Sequence, residues 1–300
     1  MSVALERPAV QERTGRGIRW QRVGLHVFLA GAAILWLAPV LWTLYTSLRP
    51  FSDTAKNGYV SLPGALNFEN YSQAWTQADL PHYFLNSLII TLPAVFLTLL
   101  FAAAVAFVVA RLSFRFNVAL LILFMAANLL PQQVLLVPLY RLYLRLPLPE
   151  FLSDSGLFYD SFIGLIAINV AFQTGFCTFV LSNYMKTIPA SLGDAARVDG
   201  AGVLRQFFGI VLPLCRPALA ALATLEFTWI YNDFLWAVVL VQSGDKRPIT
   251  SALANLQGAY FTNFNLLAAG AMLAALPTLI VYALLQRHFI SGLTLGASKG

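Results

Sequence analysis

Charge is what this chain has least of. Asp, Glu, Lys and Arg together make up 11% of its 300 residues, against about 25% in a soluble domain. With 59% apolar residues and a mean hydropathy of +0.72, a soluble globular surface is excluded. Cysteine is nearly missing as well. Cys177 and Cys215 form neither a CxxC pair nor a disulfide framework, so a stapled secreted scaffold is excluded. The histidines His26, His82 and His288 lack the spacing of a metal site, and no Ser/His/Asp constellation sits in a plausible pocket. There is no G-x-x-x-x-G-K-S/T phosphate loop, and Gly296-Ala297-Ser298-Lys299-Gly300 does not fit one. The chain is therefore expected to bind no metal or cofactor, to hydrolyse no ATP and to perform no enzyme chemistry. Internal repeats and low-complexity tracts are also lacking, apart from an Arg-spotted N-terminal arm.

Long uncharged runs are what the chain has instead. They cover residues 23–48, 80–110, 116–140, 161–185 and 248–286, or 26, 31, 25, 25 and 39 residues. About 20 apolar residues span a bilayer as a helix, and none of these runs alternates like an outer-membrane strand. Spans are expected near 25–47, 84–110, 117–139, 162–184, 214–242 and 266–286. The fifth escapes a charge-free count because it holds Glu226 and Asp233 between apolar flanks. Pro39, Pro93, Pro131, Pro138 and Pro277 are expected to bend their spans. The run after Arg7, Arg13, Arg16, Arg19 and Arg22 is too long for a signal-peptide core and no A-x-A cleavage site follows it, so it is expected to remain as a signal anchor.

The net charge of +6 is distributed beside apolar runs, which argues for topology and against nucleic acid. Six spans put both termini on one side. With that side cytoplasmic, the inner segments hold 13 of the Lys and Arg residues and the outer segments 6, the bias expected of retained basic loops. The outer loop 49–83, with Pro50, Asn57-Gly58 and Pro63-Gly64, reads as an ordered elaboration or a flexible linker.

The inner loop from Lys186 to Ile210 carries more. Ser191 can cap a short helix with Asp194 three residues on, where the helix dipole favours an acid. Ala195 and Ala196 leave a low surface, and Gly200 and Gly202 can stop the helix. On these residues alone the segment is either a docking helix or a connector lying on headgroups.

The order of its residues is more specific. Asp194-Ala195-Ala196, Asp199-Gly200-Ala201, Phe208, Ile210, Leu212-Pro213 and Pro217 resemble the EAA loop of type I ABC importer permeases, with Asp194 where Glu is usual. Thr46-Ser47-Leu48-Arg49-Pro50, Asn86-Ser87-Leu88-Ile89, Ala110-Arg111 and Asn232-Asp233-Phe234-Leu235-Trp236 are similar to the sugar-importing branch, in particular the six-span maltose-type permease. Leu253-Ala254-Asn255-Leu256-Gln257-Gly258 and the run from Gly292 to Gly300 extend that resemblance.

The resemblance implies an all-α integral membrane protein with the type I ABC importer transmembrane fold and a cytoplasmic coupling helix. It divides the chain into a cytoplasmic arm 1–24, a first span 25–47, an extracytoplasmic loop 48–81, a five-helix domain 82–287 containing the EAA loop near 188–217, and a cytoplasmic tail 288–300. It further implies a bacterial inner-membrane permease for sugars, with di- or oligosaccharides as the cargo. The implied partners are a homologous second permease, two ATPases that hold ATP and Mg, and an extracytoplasmic sugar-binding protein. ATPase coupling would fall to Asp194, Ala195, Ala196, Asp199, Gly200 and Ala201, with Pro213 and Pro217 turning the chain into span five.

Intramembrane polar residues are candidates for the solute path. Glu226 and Asp233 lie seven apart on one helix face, Asn232 is adjacent, Asn128 and Gln132 flank Pro131, and Asn169 and Gln173 are one turn apart. Helix-to-helix hydrogen bonding is the competing role for the amides, and interfacial anchoring for Trp229, Tyr231 and Trp236. Two other readings remain at this point: a type I importer for another solute such as glycerol phosphate or a polyamine, and a proton-coupled secondary transporter with Glu226 and Asp233 as carriers.

Overall fold

The computed structural model describes residues 20–112, 116–256 and 262–294, with the side chains of Gln21, Asn255 and 287–294 excepted. Most of the Arg-rich arm, Arg115, the Gln257-Gly258 pair and residues 295–300 of the expected tail lie outside the described residues.

Uncharged runs too long for any strand have only one way to satisfy their backbone in lipid, and the regular elements described are helices. In chain order they are α1 (Trp20–Leu48), α2 (Phe51–Asn57), α3 (Glu69–Gln77), α4 (Leu80–Arg111), α5 (Asn117–Leu129), α6 (Gln132–Tyr143) and α7 (Phe162–Thr187). After these come α8 (Ala190–Val198), α9 (Val203–Gln206), a π-helical turn (Phe207–Val211), α10 (Leu212–Leu214), α11 (Arg216–Tyr231), α12 (Leu235–Leu240), α13 (Ile249–Ala252) and α14 (Phe264–Thr294).

Four of them, over Arg22–Leu48, Leu80–Arg111, Phe162–Thr187 and Phe264–Gln286, are long and apolar enough to cross a membrane, and up to six cross if each bent pair makes one span. The bends correct two expectations. The segment expected as a third span at 117–139 is α5 and α6, set at 96°. Pro131 lacks an N–H and drives Leu130 into extended backbone (ψ 128°), which ends α5. The segment expected as a fifth span at 214–242 is not continuous either. Val203–Leu214 meets α11 at 74°, with Pro217 in the first turn of α11, and α11 stops at Tyr231 before α12 begins at Leu235.

α4 is central, packed along α7 and against α11, while α14 lies between α11 and α1. Ala102, Ala103 and Ala106 of α4 are fully buried against Cys177, Leu181 and Met185 of α7. Lipid is as apolar as a helix face, so association here depends on close van der Waals fit, which small residues allow. At the other end of the same pair, Ile90 and Ala94 join Leu165, Ile168, Ile230, Trp236 and Leu240. Gly164 shows how tight that end is: a Cβ there would lie 2.1 Å from the Phe158 carbonyl oxygen.

The loop after α1 is ordered, which decides between the two readings of 49–83. Arg49 has no exposed surface. Its Nε donates to Asp53 (2.9 Å), its guanidinium also donates to the Gly58, Tyr59 and Ser61 carbonyls and to Ser61 Oγ, and it lies 5.2 Å from the Tyr45 ring centre. Asn70 and Asn265 each donate to the Arg49 carbonyl, at 2.8 and 2.9 Å, and Thr54 donates to Asn265 at 2.9 Å. Arg49 thus ties α1, α2, α3 and α14 together. The Arg49 hydrogen bond holds the Asp53 carboxyl below the usual carboxylate range, with Asn57 adding to the effect.

Candidate functional site

Two places gather residues singled out above. The first is the α8 segment. α8 begins at Ala190 behind Pro189, so Ser191 lies inside its first turn and makes no capping bond; the expected Ser191/Asp194 box is absent. Proline at the boundary supplies the start instead, since its fixed φ (−54°) suits the entry to a helix. The far end does follow the residues. Gly200 takes φ +74°, its N–H reaches the Arg197 carbonyl (3.0 Å) and the Ala201 N–H reaches Ala196 (2.8 Å), a Schellman stop. Gly202 is extended, with φ −64°, and needs no special freedom.

Asp194 and Asp199 are both exposed, as is Ala195, while Ala196 is buried and Ala201 half-buried. Asp194 reaches Arg197 at 3.4 Å with both side chains in solvent, a pair worth under about 1 kcal/mol. The segment is fastened from behind by Arg111, which donates to the Ile188 carbonyl (3.0 Å), and by Gln206, which donates to Ala201 (2.7 Å). In front it leaves Val198, Leu204 and Val203 apolar and 88%, 72% and 51% exposed. A rigid, capped helix with an uncovered apolar rim is suited to being gripped from outside. Pro213 and Pro217 bracket Cys215, where the chain turns into α11.

The second place is where the two broken segments meet α7. A cavity of about 350 Å³ is lined by Gln132 from the start of α6, Asn169, Phe172 and Gln173 from α7, and Trp229, Asp233 and Trp236 around the gap between α11 and α12. The breaks build it. Pro131 turns Gln132 inward, and the gap after Tyr231 frees Asp233 to accept from the Trp236 N–H (3.2 Å) and from Asn169 Nδ2 (3.4 Å). The Asp233 carbonyl in turn accepts from Thr250 Oγ1 at 2.8 Å, so the gap is braced. Phe172 stacks on Trp236 with ring centres 5.4 Å apart.

Of the expected path residues, then, Gln132, Asn169, Gln173 and Asp233 come together. Asn128 does not join them: its Nδ2 donates to the Phe124 carbonyl (3.2 Å) beside a separate, largely apolar cavity of about 510 Å³. Asn232 is exposed and turned back on Thr228 (2.7 Å). Glu226 is the largest departure. It has no exposed surface, its Oε1 accepts from the Cys177 thiol at 3.0 Å, and its Oε2 is buried without a partner among the described residues. Seven-residue spacing predicts it on the face of Asp233; α11 ends before Asp233, and Glu226 meets α7 at Cys177, about two turns along from the Asn169 that contacts Asp233 and outside the cavity lining. Phe172 was not legible as a cavity residue, because one Phe in an apolar helix gives no signal. Arg49 was counted as an ordinary loop cation for the same reason: nothing in its neighbours reveals burial.

Comparisons of sequence agree on one family, and a comparison of structure on its fold. Residues 83–294 match the family described as binding-protein-dependent transport system inner membrane component. The chain is 34% identical over 266 residues to the melibiose/raffinose/stachyose import permease protein MelC of Bacillus subtilis, covering 87% of this chain and 91% of that one. It is 32% identical to the diacetylchitobiose uptake system permease protein NgcG of Streptomyces coelicolor, covering 91% and 88%. Among solved structures, a chain of a bacterial ABC transporter involved in import of the acidic polysaccharide alginate superposes with a TM-score of 0.74 at 21% identity, over 92% of this chain and 98% of that one.

Proposed function

The chain belongs to the family of binding-protein-dependent transport system inner membrane components, and on that footing we propose that it is the permease subunit of an ATP-driven importer of di- or oligosaccharides. It forms half of the translocation path, beside a homologous second permease, in the cytoplasmic membrane with both termini inside. It receives solute from an extracytoplasmic sugar-binding protein. It is not itself an enzyme: ATP and Mg are held by two cytoplasmic ATPase subunits, in keeping with the lack of a phosphate loop in this sequence.

The observation that carries the coupling role is α8 itself. Asp194, Ala195 and Ala196 lie in a short helix that Asp199, Gly200 and Ala201 stop, Val198 at its end joins Val203 and Leu204 of α9 in an exposed apolar rim, and Pro213 and Pro217 pass the movement of α8 to α11 through the 74° bend. An ATPase that grips α8 differently in its open and closed states shifts the permease between its conformations, since only differential binding moves such an equilibrium. Gln132, Asn169, Gln173 and Asp233 form the solute contact in this chain, where hydroxyls find donors and acceptors and Trp229 offers a ring face to a sugar. The names of the related permeases support sugar as the cargo.

Gly200→Val tests the coupling role. A Cβ at Gly200 meets no atom within 4 Å, so the substitution acts through its φ of +74° alone and unmakes the helix stop. The variant is expected to lose most ATPase co-purification and coupled uptake while the permease still inserts. Normal assembly with normal transport would overturn the assignment.

A further inference from the structure

The cavity at the junction of α6, α7, α11 and α12 has a composition that selects solute by charge, an inference that rests on the sugar-importer reading above. Its walls hold three amides, three aromatic rings and one carboxylate, and no Lys, Arg or His. Asp233 is paired with no cation among the described residues; its two oxygens accept from a backbone N–H and from an amide. Both of those donors are neutral dipoles, so neither supplies a counter-charge to the carboxyl group. Trp236 is 2% exposed, and its indole N–H is buried without a hydrogen-bond partner, leaving a donor unspent beside the cavity.

We propose that Asp233 is a charge filter: this site admits neutral and amino saccharides and rejects those bearing uronate groups. The hydroxyls of a neutral sugar donate to Asp233 and to the amide oxygens, and accept from the amide N–H groups. The apolar C–H face of the ring lies on Trp229. An ammonium group gains from the same carboxylate. A uronate brought to about 6 Å from Asp233 meets a like charge with no cation to offset it, which at an effective dielectric of about 20 weakens binding on the order of 100-fold. The superposition on a chain of an alginate importer is a likeness of fold, and the acidic cargo of that importer does not follow from it.

The test uses the purified permease pair, free of the binding protein so that its selectivity does not intervene. Tryptophan fluorescence is titrated with raffinose, diacetylchitobiose and digalacturonate. At least one neutral probe is expected to bind, with digalacturonate about 100-fold weaker. Asp233→Asn keeps an oxygen for the Trp236 N–H and is expected to bring the two classes within about threefold of one another. Gln132→Arg, which places a cation across the cavity, is expected to reverse the order. Both variants are judged on the ratio of digalacturonate to neutral binding, which a general folding defect does not move. Equal binding of both classes by the unaltered pair, or a ratio unmoved by either variant, would overturn the charge filter while leaving the sugar reading in place. If none of the three sugars binds, the charge filter falls, and the sugar reading falls with it if the complete transporter with its binding protein also takes up none of them.

Discussion

Glu226 and Asp233 show how differently two intramembrane carboxylates can be used. Both are costly in a span, on the order of 3 kcal/mol as charges on insertion scales. Asp233 offsets part of that cost by lying in a helix gap beside a polar cavity, with three polar neighbours on its side-chain and carbonyl oxygens. Glu226 has only the Cys177 thiol. Glu226→Gln keeps the acceptor for that thiol and removes the option of a charge, so the KM for uptake is expected to stay within about twofold and thermal stability in detergent to hold or rise. A large rise in KM on that substitution would place Glu226 in the path after all.

Asp53 gives a pH dependence at the same scale. Its hydrogen bond from Arg49 lowers its pKa in the folded chain, so the stabilisation it contributes is full above the ordinary carboxylate pKa and is lost as pH falls through the folded value. Thermal unfolding followed from pH 7 down to pH 3 is expected to show a fall in the acid part of that range. Asp53→Asn should flatten this part of the profile; an unchanged acid limb would refute the assignment.

At the scale of the element, proline at a helix boundary does what no apolar count reveals. A bilayer-length run with Pro131 near its middle folds as two helices at 96°, and the break rather than either helix delivers Gln132 to the cavity. Pro131→Ala restores the missing N–H and lets α5 and α6 approach one helix. Loss of one Gln132 hydrogen bond to solute is worth about 1.4 kcal/mol, so KM is expected to rise about tenfold with assembly intact. An unchanged KM would mean that Gln132 is not a solute contact. The start of α8 follows the same logic. Ser191 and Asp194 have the right spacing for a capping box, but Pro189 begins the helix earlier and leaves them inside it. The stop at Gly200 was legible because one residue type answers one backbone need.

For the whole molecule, orientation is the property to measure, and the burial pattern makes that simple. Cys177 and Cys215 are both buried, so background labelling by a thiol reagent is low. Leu62 is 90% exposed in the loop after α1, and Val198 is 88% exposed at the end of α8. An impermeant maleimide applied to intact cells is expected to label Leu62→Cys and to spare Val198→Cys until the membrane is opened. The reverse pattern would invert the proposed topology. The exposed apolar face of α1, with Phe28 and Trp36 at 71% and 83%, is what a first span offers to lipid.

By itself the sequence determined the class of molecule, the approximate places of its helices and the loop that identifies its lineage. Hydropathy acts over about 20 residues at a time, and a motif such as Asp194 to Pro217 is read along the chain, so both survive without coordinates. Only the tertiary structure decided which polar residues share a space. Gln132, Asn169, Gln173 and Asp233 meet because two helices break and a third passes between them, while Glu226 is bonded to Cys177 farther along α7, outside the cavity lining. Arg49 likewise acquires its partners from a loop that folds back over it. Such convergence depends on bend angles and packing distances, and those arise from contacts between segments far apart in the chain.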